Sequence, residues 1–276
     1  GRREGDHIPA LLTMLASRNR EARYGAVEAL GALGPRADIA APQLRAALQD
    51  TDVWLQCLAA EAIPYLSPAV RKACVSDLLA LTLRTNPADP RRMSQRSASI
   101  ALFAPFPGKR EPRSILAASL DGVDRAQLYP AVESLLQNED PIVRSAVSRT
   151  YNKLTDEDIV RLLPAILLAI ENPAPSNEMF ADGVRLAGAD LLARLHIREG
   201  MALCVKLIEP DGWGEKTPSQ TCLTHLQCYG AHAKAMLPQL KEVRAKLVEL
   251  KKSPVHIAEF DQQVSMLEAS TETPTL

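Results

Sequence analysis

Four residues near the end of the chain have the types and spacing of metal ligands: Cys222, His225, Cys228 and His232. On a helix they fall within a sector of about 120°. One straight helix nevertheless spreads them over about 15 Å along its axis. Four ligands on one zinc ion must reach a common centre at about 2.0–2.3 Å. At most one pair, such as Cys228 and His232, could bind a metal with ligands from elsewhere.

A tighter apolar stripe passes through the same helix, made of Cys222, Leu226, Tyr229 and Ala233. Apolar residues at this spacing are typical of the buried face of a helix. We therefore expect core packing along this stripe, and neither a bound metal nor a cofactor. His225 and His232 flank the stripe, and we retain both as candidate partner-binding residues.

The chain carries no pattern that predicts catalysis. It contains no P-loop, no G-x-S-x-G, no H-E-x-x-H and no G-x-G-x-x-G sequence. The acidic segment Thr155-Asp-Glu-Asp158 is better explained as a helix capping box, since Thr and Asp three residues apart satisfy two exposed backbone N–H groups. We interpret the protein as a non-enzyme.

Composition indicates a folded, helical chain. The 276 residues include 40 Ala and 39 Leu, only 4% are aromatic, and the net charge is −1. Ala and Leu favour helices, whereas strands are enriched in β-branched and aromatic residues. A neutral charge balance is not typical of a nucleic-acid-binding protein. Five widely spaced cysteines without a C-x-x-C pair indicate small buried hydrophobes rather than disulfides.

No membrane span is expected, because the longest nearly apolar run, 162–170, is far shorter than the ~20 residues that a bilayer requires. A cytoplasmic location is the default, and export within a longer parent chain stays open. Of the helix–turn–helix units described below, the first carries a full apolar consensus, whereas the last is charged, as the polar outer face of a terminal unit requires. This contrast predicts that the chain is the C-terminal part of a longer protein.

Proline-led segments recur along the chain at intervals of 33, 34 and 74 residues, the last being twice 37 with one unmarked repeat near Met201. A wider gap separates Pro42 from Pro130, and another unit that starts near Ala73 fills part of it. The proline-led segments begin at Pro9, Pro42, Pro130, Pro164 and Pro238. Pro is favoured in the first turn of a helix, so each is predicted to open one. A polar turn and a second amphipathic helix follow, and this period is the signature of an α-solenoid.

The second helices resemble those of HEAT repeats. The resemblance lies in Glu21-Ala-Arg-Tyr-Gly-Ala-Val-Glu-Ala-Leu-Gly-Ala-Leu-Gly34 and returns in Asp140-Pro-Ile-Val-Arg-Ser-Ala-Val147. It implies an all-α, right-handed α-α superhelix of about seven helix pairs, of the armadillo-like class, whose second helices line a concave face. The family's turn Asp and second-helix Arg are kept at Asp140 and Arg144. At Asp52 and Gln56 the pattern departs, so a ladder of polar contacts is expected to break there.

The predicted solenoid covers residues 1–269, and residues 270–276 form a flexible tail. The units lie near 6–34, 38–67, 69–105, 112–154, 156–197, 199–233 and 235–269. The segment 112–123 fits no repeat and is interpreted as an extra short helix.

Three long loops occupy the same position in their repeats, at 85–92, 171–177 and 209–219. Such insertions map to one edge of a solenoid, which is often the binding edge. Trp213 lies between two glycines and is a candidate anchor or, alternatively, a plug over its own repeat. Substituting it with Ala should weaken binding if it is an anchor and lower stability if it is a plug.

Between Arg84 and Arg113 the local charge is +5, and this region supplies Arg92 and Arg96 as further candidates. The sequence therefore predicts a monomeric, non-catalytic protein-interaction scaffold that binds a protein or peptide along the concave face or the long-loop edge. Two alternatives stay open. One is nucleic-acid binding through the basic region, and the other is a structural spacer within a larger protein.

Overall fold

The structure is a computed structural model that describes residues 7–103, 114–116, 119–172, 183–208, 210 and 216–276, with the backbone alone for 216–219. Every regular element in these ranges is helical, which confirms the all-α class. The α-helices are α1 (Ile8–Leu15), α2 (Arg20–Leu33), α3 (Ala41–Ala47), α4 (Val53–Ala62), α5 (Pro68–Ala73), α6 (Val75–Leu83), α7 (Met93–Phe103), α8 (Arg125–Leu136), α9 (Pro141–Ser148), α10 (Asp156–Glu171), α11 (Gly183–Arg194), α12 (Glu199–Leu207), α13 (Lys216–Gln227), α14 (Leu237–Glu249) and α15 (Pro254–Ala269).

Short 3-10 helices connect several of these elements, at Gly34–Ala40, Ile63–Tyr65, Tyr151–Lys153 and Gly230–Met236. The chain divides into two compact units, Gly1–Ala165 and Ile166–Leu276, and the division falls within α10.

In the first unit, alternate helices pack against each other. The second helices form one row, in which α2 packs on α4, α4 on α7 and α7 on α9. On the other side, α6 packs on α8. Gly31 of α2 brings its backbone close to α4, because a Cβ placed there would lie 3.1 Å from the Ala62 Cβ. The core between the rows is aliphatic and includes Leu30, Leu55 and Leu102, which are fully buried.

In the second unit, α11 packs on α12 and α13, and α15 packs on α13 and α14. The apolar stripe predicted for α13 and the turn after it lies in this core, with Cys222, Leu226, Tyr229 and Ala233 fully buried. The hydroxyl of Tyr229 donates to the Ile197 carbonyl at 3.0 Å, so the one polar atom of this large side chain is satisfied.

Helix starts differ from the sequence prediction at two prolines. Pro9, Pro42 and Pro238 occupy the first turns of α1, α3 and α14, as predicted. Pro130 and Pro164 instead lie inside α8 and α10, so the prediction that each opens a helix is wrong. In both cases the reason is that a capping side chain starts the helix at a position before the proline.

For α8, the carboxylate of Asp124 accepts from the Ala126 amide at 3.0 Å and starts the helix before Pro130. For α10, the Asp158 amide donates to the Thr155 hydroxyl at 3.2 Å, and the Thr155 amide donates to the Asp158 carboxylate at 3.0 Å. The predicted capping box is therefore confirmed, and it starts α10 eight residues before Pro164.

Two smaller expectations are also corrected. The described part of 112–123 forms turns rather than a short helix, and Gly122 has a left-handed φ of 72°. Of the five cysteines, all unpaired by disulfides, four are buried as expected, but Cys228 is exposed. None of the helices given above is both long enough and apolar enough to cross a bilayer.

Candidate functional site

The first turns of the second helices in the first unit form a continuous polar edge. The carboxylate or amide oxygens that cap these helices belong to Asn19, Asp52, Asp89 and Asp140, which precede α2, α4, α7 and α9. We call the surface formed by these four capping turns and the helical turns that follow them the cap edge. It contains the position of the long loop 85–92 and so corresponds to the described part of the predicted long-loop edge.

Neighbouring helices are tied together along the cap edge by side chains. Asp52 caps α4 by accepting from the Trp54 amide at 3.1 Å, and it also accepts from the Tyr24 hydroxyl of α2 at 2.7 Å. This second hydrogen bond is the main reason why the pKa of Tyr24 is raised. Arg23 pairs with Asp50 in the same turn.

Asp50 illustrates how the turn is fixed. Burial would raise the pKa of this carboxyl, but the Asp52 amide and the Arg23 guanidinium outweigh burial and lower it. The Asp52 amide donates to Asp50 at 2.9 Å, and the Gln56 side chain donates to the Asp50 carbonyl at 2.5 Å. Asp50 and Asp52 therefore bind across to the preceding helix. Gln56, which stands where the predicted pattern has Arg, donates within its own turn, so the expected break of the polar ladder stays a prediction.

A buried carboxylate organises the long loop before α7. Asp89 accepts from the Met93 amide at 2.8 Å, and from the amide and hydroxyl of Ser94 at 2.9 and 2.7 Å. Arg92 adopts a left-handed φ of 53°, which few L residues adopt, and its amide donates to the Asp89 carbonyl at 3.0 Å. The loop thus holds Arg92 in one conformation with its side chain exposed.

The structure separates the roles of the predicted arginines. Arg92 is exposed. Arg96 lies four residues further along the chain, in α7, and pairs with Asp140, the capping residue of α9, at 2.9 Å. Arg84 donates to the Leu48 carbonyl at 3.0 Å. Residues 104–113, which hold the rest of the basic region, lie outside the described residues. Within the described part, the local positive charge is therefore partly used to connect helices.

A small cleft of about 310 Å³ opens beside this loop. It is lined by Arg84, Thr85, Asn86, Pro87, Asp89, Pro90, Arg92 and Gln95. Arg92 is the exposed arginine of this lining, whereas Arg84 is engaged by the Leu48 carbonyl. An arginine fork matches a carboxylate, so Arg92 at the cleft suits an acidic side chain.

Trp54 is an aromatic residue of the cap edge that the sequence did not single out. It lies in the first turn of α4 and is 52% exposed, although its amide is fixed by Asp52. Ile142 occupies the equivalent position of α9 and is 44% exposed. One signal could have found both residues: each follows the Asp of a polar turn by two positions.

The histidine candidates lie in the second unit. No group of three or more possible ligands comes together among the described residues. His225 is partly buried, which lowers its pKa, and His232 lies 3.0 Å from the Pro274 carbonyl. Cys222 faces Cys204 in the core. Trp213 lies outside the described residues, as do most of the loops 171–177 and 209–219.

Comparisons with known proteins show a similar arrangement of helices in solved structures but do not show a family. No family model and no curated protein matches the chain. Two crystal structures described as engineered proteins of the Northeast Structural Genomics Consortium are similar to it. One has a TM-score of 0.58 at 19% identity, covering 96% of this chain and 69% of the other. The second has a TM-score of 0.53 at 15% identity, covering 80% and 98%. At these identities the likeness concerns the arrangement of helices alone.

Proposed function

We propose that the protein is a non-catalytic protein-interaction module that binds an acidic segment of a partner along the cap edge. The observation that carries this proposal is Trp54, which is half-exposed in a turn whose backbone is held by Asp52. Trp is favoured at interface hot spots, and a fixed surface loses little entropy on binding.

The charge of the cap edge favours an acidic partner. Its exposed arginines are Arg18, Arg91 and Arg92, together with Arg20, which lies 3.7 Å from the Asp52 carboxylate, and its exposed acids are Glu21 and Glu139. The acids that cap the helices are engaged by backbone amides and by neighbouring side chains. A partner with carboxylates around an apolar side chain would therefore meet both the indole and the guanidinium groups.

The finer architecture is part of the same proposal. Two rows of alternating helices in the first unit support a right-handed α-α superhelix of HEAT-like pairs, about seven in all. Polar links between elements about 30 residues apart support it too, such as Arg45 of α3 with Asp77 of α6 at 2.5 Å and Arg125 of α8 with Asp158 of α10 at 2.8 Å. In this arrangement the cap edge repeats once per pair and can extend along a partner.

A displayed library of random peptides tests the proposal. Selection on the intact chain should enrich peptides that combine Asp or Glu with an aromatic or aliphatic residue. Trp54→Ala should weaken the binding of the selected peptides by about tenfold or more, which is the effect of a modest hot spot. Ile39→Ala is the matched control, because Ile39 is 70% exposed but lies in the 3-10 helix Gly34–Ala40.

Three results would contradict the proposal: selection of basic peptides, equal binding by the two variants, or no selected binder at all. Retention of the chain on duplex DNA at low salt, lost in Arg92→Ala, would instead favour the nucleic-acid alternative. Absence of both kinds of binding would favour the spacer. The melting temperature of Trp54→Ala should change little, because an exposed side chain contributes little to the core.

A further inference from the structure

The segment after α15 returns to the second unit and contacts the 3-10 helix Gly230–Met236. The Ala231 amide donates to the Glu272 carbonyl at 2.6 Å. The His232 Nε2 lies 3.0 Å from the Pro274 carbonyl, and because a carbonyl can only accept, this ring nitrogen carries the proton. The predicted flexible tail thus has two hydrogen bonds, made through carbonyls two residues apart.

Gly230 is required for this contact for two reasons. Its φ is 56°, a left-handed value that most residues avoid. A Cβ at this position would also clash with the Glu272 carbonyl oxygen and lie 3.0 Å from the Pro274 Cδ. A side chain at residue 230 and the segment 272–274 therefore exclude each other.

A cleft with an apolar floor and a charged rim receives the next part of the segment. Leu276 borders this opening of about 400 Å³, which is also lined by Met201, Ala202 and Met236, by His232, and by the charged residues Arg198 and Glu199. Leu276 is 39% exposed, so it covers the cleft without filling it.

The remaining side chains of the segment point into solvent. Thr271, Glu272, Thr273 and Thr275 are exposed. The contact is therefore made by main-chain carbonyls, a proline ring and one leucine, and it buries little. Recognition of an extended backbone through its carbonyls accepts other sequences of the same shape.

We propose that Gly230–His232 and the adjoining cleft form a docking site for an extended peptide segment, which residues 272–276 occupy within the same chain. The site recognises two carbonyls two residues apart, a proline at the second, and an apolar residue two positions later. A partner protein that presents such a segment would compete with residues 272–276. This site lies in the second unit and is argued independently of the cap edge.

The first experiment uses a labelled peptide of residues 270–276 (Ser-Thr-Glu-Thr-Pro-Thr-Leu) and two proteins, the full chain and a chain that stops at Ser270. The shortened chain should bind the peptide about tenfold or more tightly than the full chain, because the tethered segment competes at a high effective concentration. Amide chemical shifts should change at Ala231 and His232. A peptide with Ala in place of Pro274 and of Leu276 is the control and should bind more weakly.

The second experiment uses the full chain with Gly230→Asn. Asn tolerates a left-handed φ better than other residues, so this variant adds mainly the clash with Glu272. The NMR signals of residues 271–276 should sharpen to those of a mobile segment, while the rest of the spectrum is retained. Gly122→Asn is the matched control: its φ is 72°, and a Cβ there meets the flexible end of Lys72, at 3.3 Å.

Should Gly230→Asn fail to fold, His232→Ala replaces it, since that change removes a single donor and should partly release the segment. The proposal is overturned if the folded shortened chain binds no peptide, or if both chain lengths bind it equally. It is also overturned if the segment stays ordered in both variants, or if its ordering depends on protein concentration, which would indicate exchange between two copies.

Discussion

Gly25 and Gly31 share one helix but differ in what surrounds them. Within the described part of the chain, no neighbouring atom lies within 4 Å of a Cβ placed on Gly25, whereas a Cβ on Gly31 would lie 3.1 Å from the Cβ and 3.2 Å from the Cα of Ala62. Gly25 therefore only weakens α2 through its flexibility, whereas Gly31 allows α2 and α4 to approach closely.

Alanine substitutions at these two glycines should consequently have different effects. Gly25→Ala should raise the free energy of unfolding by about 0.5–1 kcal/mol, because the unfolded chain with Ala has less backbone entropy to lose on folding. Gly31→Ala should be less stable than Gly25→Ala by about 1–3 kcal/mol, the usual cost of overpacking. Urea unfolding of both variants measures the difference, and equal stabilities would contradict the packing of α2 on α4.

Asp158 concentrates the polar contacts between α8 and α10. Its carboxylate accepts from Arg125 at 2.8 Å, from the Tyr129 hydroxyl at 3.0 Å and from the Thr155 amide at 3.0 Å. Burial by itself raises the pKa of this group, but the hydrogen bonds from Arg125, Thr155 and Tyr129 outweigh burial and lower the pKa to about 2.

This lowered pKa predicts a specific dependence of stability on pH. A carboxyl whose pKa is lower in the folded state than in the unfolded state stabilises the fold above the unfolded value, which is 3.8 here. That stabilisation is lost as the pH falls from about 4 to about 2. Urea unfolding across this range should show a difference between the natural chain and Asp158→Asn that is largest above pH 4 and shrinks towards pH 2. A difference that does not change with pH would contradict the ionised contact.

At the scale of elements, the caps determine where helices begin, and they do so more strongly than the prolines. The sequence located the Thr155–Asp158 capping box, and the structure confirms it. It misplaced the start of α8, because the cap at Asp124 lies before Pro130. Local spacing alone did not show which of these two residues, Asp124 or Pro130, determines where the helix begins.

The double role of Asp52 is the clearest test at this scale. Asp52→Ala removes the cap of α4 and leaves the Tyr24 hydroxyl without its acceptor, so the free energy of unfolding should fall by about 1–2 kcal/mol. Asp52→Asn keeps an oxygen acceptor and should cost less than half as much. Tyr24→Phe is the control that removes the hydroxyl alone. Thermal and urea unfolding provide the measurements, and a neutral Asp52→Ala would refute the capping role.

At the scale of the whole molecule, the division at residues 165 and 166 predicts that destabilisation stays within one unit. Gly200 is a suitable probe of the second unit, because a Cβ there would clash with the Tyr229 hydroxyl and lie 2.7 Å from the Leu192 Cβ. Gly200→Ala should therefore disturb the core around Tyr229.

Hydrogen exchange in the full chain can follow each unit separately. Gly200→Ala should lower protection by about tenfold or more within 166–276 and leave 7–103 nearly unchanged, and Gly31→Ala should do the reverse. Equal loss of protection in both units, from either variant, would show that the chain unfolds as one cooperative body.

The sequence by itself determined the helical class and much of the buried face, including Cys222, Leu226 and Tyr229. These follow from local periodicity and from residues that end or cap helices, which act over a few positions. The tertiary structure decided which polar groups remain available. Arg96 is engaged by Asp140, 44 residues away, whereas Arg92 is exposed.

The same distinction explains Trp54 and residues 270–276. Exposure of Trp54 depends on which helices pack beside α4, and docking of the segment depends on Gly230, about 40 residues earlier in the chain. Such contacts join residues whose separation in sequence carries no periodic signal. Composition and spacing therefore predicted the helical class, and only the packing of the helices decided which side chains stay exposed.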